Sequence, residues 1–273
     1  AHTKQVIYVE DRETVLIKKD FYKTTNMENL VVDKKIEQIE WDLKDSTKGK
    51  FKHYMLKEIS EQPDSIRRAF GEGGRLMPDF GTTKLGGLNI EKQEYFDIDK
   101  ISIFGMGTAF YAGMTSAYLL EHLTRIPTTI DQASELRYRN PIVQKNTLYL
   151  AVSQSGETID TLSAMREIQN RGGKVLGICN TVGSTIARES DGGVYIHAGP
   201  EIAVASTKAF TSQITVFLMI ALMIGRMRDI PISKGKTLLK ELESIPEAIK
   251  LVLDNPKQIQ KLAKKYKTYQ HFL

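Results

Sequence analysis

Residues Ser153-Gln154-Ser155-Gly156-Glu157-Thr158 place three hydroxyls, an amide and a glycine in one short stretch, with no Lys or Arg among them. An apolar run with strand character, "LYLAVS", precedes them, and a run with helical spacing follows. A helix that starts at such a turn leaves backbone N–H groups unpaired and a partial positive charge at its end. A phosphate fits there without a cation. Ser and Thr hydroxyls add donors, and Gly156 lets the backbone come close. The same residues also read more plainly as an N-cap, in which Ser155, with Thr158 nearby, closes the helix start. Glu157 reads as a first-turn acid that favours the helix dipole, not as a catalyst.

Two other stretches lie where strands hand over to helices. "GMGT", Gly105 to Thr108, follows "ISIF" and invites a dinucleotide reading, because Asp131 ends the next strand. The third position of G-x-G-x-x-G is Phe110, which obstructs the close packing that fingerprint requires. The alternatives are a second wall of one polar pocket, lined by Gly107 and Thr108, or a tight turn alone. In "GPEIAVAST" and the helix after it, Ser206 and Thr207 read as caps, and Lys208 either assists an anion or is solvated. Cys179, at the end of "KVLGICN", has no histidine at a pairing distance in sequence and reads as a buried strand residue. His53 and His197 show no metal-ligand spacing. Glu135 to Arg139 reads as a surface ion-pair segment or an interface. Met55, Met77 and the methionines of the long apolar helix read as core.

Alternating strands and helices from Ile101 to Gly225 must position these residues. They predict a three-layer αβα sandwich with a mostly parallel sheet, in which ligands sit at the carboxyl ends of strands. The opening residues read as short strands, "KQVIYVED" and "TVLIKKDF", joined by a hairpin at Asp11-Arg12-Glu13, with "KKIEQIEWD" as a further strand. "HYMLKEISEQPDSIRRAF" has helical spacing, and Pro63 marks a new helix start. Gly71 to Asn89 is loop-rich, polar helices follow Gly225, and "QHFL" reads as the start of another strand. The expected organisation is a β-rich segment at 1–45, a helical linker at 46–90, an α/β domain at 91–228 and a helical connection at 229–273.

Composition narrows the classes. The 273 residues are 41% hydrophobic and 26% charged, an ordinary globular balance. The net charge of +5 is spread along the chain with no dense basic block, so nucleic acid is not an expected partner, whereas small anions are. One Cys excludes an intramolecular disulfide and suits a reducing, cytoplasmic setting. "AHTKQVIYVEDRE" lacks a signal-peptide core. The run Ile214 to Ile224 is shorter than a membrane span, so a buried helix, not membrane insertion, is expected.

"SQSGETIDTL", "ASELRYR", "GICNTVGS" and "GPEIAVASTKAFTSQ" resemble the sugar-isomerase (SIS) domain of the glutamine–fructose-6-phosphate aminotransferase family. "HYMLKEISEQP" is similar to the segment that opens the family's isomerase half, and "KQVIYVEDRETVLI" to the last strands of its glutaminase half. The resemblance implies transfer of ammonia from glutamine to fructose 6-phosphate and isomerisation to glucosamine 6-phosphate, without a metal or nucleotide cofactor. It implies a phosphate cradle at Ser153, Gln154, Ser155 and Thr158, a second binding loop at Gly107 and Thr108, and Ser206 near the sugar. Met106 and Ala109 depart from the Cys and Ser common in the family, which puts one contact in doubt. The resemblance further implies a homodimer. The family's N-terminal Cys nucleophile has no counterpart here, since residue 1 is Ala, and its lysine, glutamate and histidine belong to a second sugar-isomerase half beyond Leu273. The expectation is a sugar-phosphate-binding fragment with no catalytic residue of its own. A non-catalytic sugar-phosphate sensing module is the alternative, and a nicotinamide-dependent dehydrogenase a third reading.

Overall fold

The structure is a computed structural model, and it describes residues 5–38 and 47–271. The chain divides into two compact units, Ala1–Thr47 and Lys48–Leu273.

In the first unit, β1 (Gln5–Val6) pairs antiparallel with β4 (Glu37–Gln38), and β2 (Glu13–Lys18) pairs with β3 (Phe21–Asn26). The hairpin therefore turns at Lys19-Asp20 and not at Asp11-Arg12-Glu13. Six consecutive cross-strand pairs, Glu13 with Asn26 through Lys18 with Phe21, require a two-residue connection. Asp11-Arg12 forms a separate turn, in which the Glu13 amide donates to the Glu10 carbonyl at 3.2 Å. Of "KKIEQIEWD", only Glu37–Gln38 is seen as strand, and residues 39–46 lie outside the described residues.

The second unit opens with α1 (Tyr54–Ser60) and α2 (Gln62–Ala69), and Pro63 stands in the first turn of α2, where its missing N–H costs no hydrogen bond. A two-stranded ribbon, β5 (Leu76–Met77) with β6 (Thr82–Thr83), and α3 (Lys92–Asp97) lead into the sheet. The helix α3 carries no strong apolar period; it is fixed by a capping box between Glu91 and Glu94. There follow β7 (Lys100–Gly105), α4 (Gly107–Thr124), β8 (Thr128–Gln132), α5 (Ala133–Tyr138), β9 (Thr147–Ser153), α6 (Ile159–Asn170), β10 (Val175–Cys179), α7 (Thr185–Glu189), β11 (Gly192–Tyr195) and α8 (Lys208–Arg228). Two long helices close the unit, α9 (Ile232–Leu253) and α10 (Pro256–Tyr266). In "QHFL", Phe272 and Leu273 lie outside the described residues.

The five strands β7–β11 are all parallel, in the order β11-β10-β9-β7-β8. The central strand β9 is buried along its length, as a strand covered on both faces must be. Its residues alternate between two cores. Leu148, Leu150 and Val152 join the core built with α2, α4, α8 and α9. Tyr149 and Ala151 join the core built with α5, α6 and α7. This alternation makes the three-layer αβα sandwich. The helix α8 is long and apolar enough to cross a membrane, yet 78% of its most apolar window is buried in the fold, so it serves as a core helix. Met219 and Met223 are buried with it, whereas Met55 is 43% exposed, because α1 presents that side to solvent.

Candidate functional site

Chain order and spatial order diverge between β7 and β9: from β7 the chain steps to the edge strand β8, then returns to β9 and proceeds outward. Such a switch point opens a crevice at the carboxyl ends of the two strands. Gly105 of β7 lies in register with Val152 of β9, so the turn at Met106-Gly107-Thr108 and the turn at Ser153–Thr158 leave the sheet side by side. The two hydroxyl-bearing loops expected to share a pocket are thus neighbours.

The loop after β9 is shaped by its own hydroxyls. The buried Ser153 Oγ accepts the Gly156 amide at 2.9 Å and shares a hydrogen bond with Thr158 Oγ1 at 3.0 Å. Ser155 Oγ accepts the Glu157 amide at 3.1 Å, which leaves its own O–H to donate outward. Gly156 adopts φ +69°, and a Cβ there would lie 1.9 Å from Ser184 Oγ, so position 156 has no room for a side chain. Thr158 occupies the N-cap position of α6, but no side chain caps that helix. The simple capping role for Ser155 and Thr158 is therefore not what their hydroxyls do: the first turn of α6 presents its amides uncapped. Glu157 serves a different helix from the one its position suggests, accepting the Thr185 amide of α7 at 2.8 Å.

At the start of α4, Thr108 is half-buried and Gly107 exposed, and no side chain caps the helix. Met106 accepts the Ser134 amide on its Sδ at 3.4 Å, and Ala109 is buried in the core. The dinucleotide reading fails on geometry as well as motif. The glycine at the close helix–sheet approach is Gly113, where a Cβ would lie 2.8 Å from Ile130 Cδ1, and Asp131 is engaged by both terminal nitrogens of Arg139, at 2.7 and 3.0 Å. In the "ELRYR" run, Glu135 to Tyr138 lie in α5 and Arg139 follows it, paired with Asp131.

Ser206 lies on the loop from β11 to α8. Its hydroxyl donates to Glu201 Oε2 at 2.9 Å, while Glu201 Oε1 accepts the Thr207 amide at 2.8 Å and the Ala209 amide at 3.3 Å. Glu201, and neither Ser206 nor Thr207, caps α8. With its hydrogen committed, Ser206 Oγ is left as an acceptor. Lys208 is neither solvated nor available to an anion: it is 2% exposed and pairs with Glu61 Oε2 at 2.8 Å.

Asn180 ties the cradle to this loop. Its amide donates to the Gln154 carbonyl at 3.2 Å, its Oδ1 accepts the Ala198 amide at 2.8 Å, and its Nδ2 donates to the Gly199 carbonyl at 2.8 Å. Sequence reasoning missed Asn180 and Glu201. The readable signal was an Asn directly after a buried strand, a position that suits bridging between loops. Cys179, beside it, is buried, and burial pushes its thiol up to about 12. A cavity of about 390 Å³ borders Cys179, Arg75, Gly87 and Tyr195, but it lies under β10 and β11 and includes none of the hydroxyl-loop residues. Among the described residues, no group of three or more His, Cys, Asp and Glu is placed to hold a metal.

Residues 94–223 match the SIS domain family. The chain carries an SIS domain there. It is 41% identical to glutamine–fructose-6-phosphate aminotransferase (isomerizing) of Chlorobaculum tepidum over 97% of its own length and 43% of that protein. Identity to the Thermus thermophilus enzyme of the same name is also 41%, over all of this chain and 44% of that protein. The chain thus spans less than half the length of these relatives. Among solved structures, the C-terminal domain of glucosamine-fructose-6-phosphate aminotransferase from Francisella tularensis superposes with a TM-score of 0.75 at 33% identity, covering 83% of this chain and 62% of that one. In these relatives the isomerising aminotransferase is the named activity, and the αβα fold with a parallel sheet expected from the sequence is the one observed.

Proposed function

We propose that this chain supplies the sugar-phosphate-binding domain of a glutamine–fructose-6-phosphate aminotransferase, gripping fructose 6-phosphate or glucosamine 6-phosphate by its phosphoryl end. The observation that carries the reading is the uncapped first turn of α6, at the sheet's switch point, ringed by Gln154, Ser155 and Thr158. The names of the relatives supply the sugar.

In this account Ser153 acts from below: its buried hydroxyl folds the loop and hands a hydrogen bond to Thr158, freeing the Thr158 O–H to point at phosphate. Ser155 donates likewise, the first-turn amides of α6 complete the cradle, and Gly107 and Thr108 form its second wall. Ser206 accepts a hydrogen bond from a sugar hydroxyl at the far end. The cradle itself carries no cation, so affinity stays moderate and product release stays fast. The resemblance assigns glutamine hydrolysis to a glutaminase half, and the movement of protons between sugar carbons to a second sugar-isomerase half. The β-rich first unit is the end of a glutaminase domain, and 229–273 leads toward a second sugar-isomerase half. The protein is a cytoplasmic homodimer that needs no cofactor.

Titration calorimetry with fructose 6-phosphate tests the reading. The chain binds, and the Ser155→Ala/Thr158→Ala pair loses affinity by about 100-fold, one or two charge-assisted hydrogen bonds being removed. Unchanged affinity in the double variant contradicts it.

A further inference from the structure

Glu58 is 2% exposed, on α1, far in sequence from every residue of the cradle. One of its carboxyl oxygens, Oε1, accepts two successive backbone amides, Ile202 at 2.7 Å and Ala203 at 3.1 Å. The other, Oε2, is buried without a hydrogen-bond partner. Burying a carboxyl with half its acceptors empty costs stability that an apolar side chain of the same size would not. Packing alone therefore does not account for a Glu at this position. What the Glu does achieve is to fix the backbone of residues 202–203.

Those residues sit between Glu201 and Ser206. Glu201 holds the Ser206 hydroxyl and the Thr207 amide, so the loop is gripped at two points that share one short segment. The helix α2 adds further anchors. Arg68 donates to the His197 and Ala198 carbonyls, each at 2.9 Å, and Glu61 pairs with Lys208. The α1–α2 hairpin thus braces the passage from β11 to α8 at several points, and Glu58 holds the stretch between Glu201 and Ser206.

We propose that Glu58 is a positioning residue for the sugar end of the site: through Ile202, Ala203 and Glu201 it sets where Ser206 meets the hexose, and so separates sugar phosphates from bare phosphate. This rests on the reading of Ser206 as a sugar contact. The hydrogen bonds that shape the loop after β9 run within 153–158 and through Asn180 to residues 198–199, not to residues 202–203.

The test compares fructose 6-phosphate with inorganic phosphate, by calorimetry, on the full chain. Glu58→Leu fills the same space without an acceptor. It keeps wild-type affinity for inorganic phosphate and a folded state, but loses about tenfold in preference for fructose 6-phosphate. Glu58→Gln, whose amide oxygen can accept the same two N–H bonds, restores most of that preference. Adding Glu58→Leu to Ser206→Ala costs nothing further, since both act through one contact. Should Glu58→Leu not fold, Glu58→Asp, which withdraws the carboxyl by one methylene, decides by the same readout. The inference is overturned if the preference is unchanged, if both ligands weaken together, or if the two substitutions multiply. A wild type that does not prefer fructose 6-phosphate over inorganic phosphate sinks the site reading itself; a wild type that does, with variants that match it, sinks only the role of Glu58.

Discussion

Two helices, α6 and α8, start at the same edge of the sheet, each preceded by a loop rich in Ser and Thr, and they treat their first turns in opposite ways. At α8 a carboxyl does the capping: Glu201 takes the Thr207 and Ala209 amides, Lys208 is buried against Glu61, and Thr207 Oγ1 is buried without a partner. At α6 nothing caps the helix, and the nearby hydroxyls accept amides from their own loop instead. A helix end that has already received a carboxyl has no vacancy for a phosphate; one left open has. Each loop carries hydroxyls and an acid near the helix start, so the residue types alone do not say which end is capped. The difference lies in an acid five residues before Ser206 that folds back, against an acid, Glu157, that reaches forward to α7.

The contrast can be broken or sharpened by substitution. The largest effect falls at Gly156→Ala, which forces a methyl onto Ser184 and an L-residue into a left-handed backbone. The expected cost is about 2–4 kcal/mol, seen as a Tm lowered by roughly 5–15 °C in a unit of this size, with loss of sugar-phosphate binding. A Gly156→Ala variant of wild-type Tm breaks the account of the loop. Next comes Glu201→Ala, which uncaps α8. It costs about 1–2 kcal/mol in urea denaturation and frees Ser206, so preference for hexose over phosphate falls as it does in Glu58→Leu. Cys179 gives a chemical readout. With its thiol pushed up to about 12, the native protein reacts with a thiolate-selective reagent at pH 8 about a thousandfold slower than the unfolded chain. Rapid native labelling contradicts the tight floor beneath Gly156. The smallest effect belongs to Arg139→Ala. Arg139 is largely exposed, and its partner Asp131, on the edge strand β8, is 18% exposed, so stability shifts by less than about 1 kcal/mol.

The parallel sheet and its helices were legible because their signals are local: β9 reads as a continuous apolar run, and α6 carries Leu162, Met165 and Ile168 on one buried face. The hairpin in the first unit was misplaced because "DRE" and "KKD" are both polar breaks, and only cross-strand pairing chooses between them. The two hydroxyl-bearing loops were legible as neighbours at one end of the sheet, yet the roles within them were not. That Glu157 caps α7, that Lys208 is buried and that Met55 faces solvent depend on contacts between segments far apart in the chain. Glu58 is the extreme case: its partners lie 144 and 145 residues away, and no local pattern announces them.

The central claim is that the open end of α6, and not the carboxyl-capped end of α8, receives the phosphate. A crystal structure of the chain with fructose 6-phosphate measures this directly. The account predicts phosphate oxygens about 2.7–3.2 Å from Ser155 Oγ, Thr158 Oγ1 and the first-turn amides of α6. A phosphate seated at Lys208 and the start of α8, or in the cavity beneath β10 and β11, contradicts it.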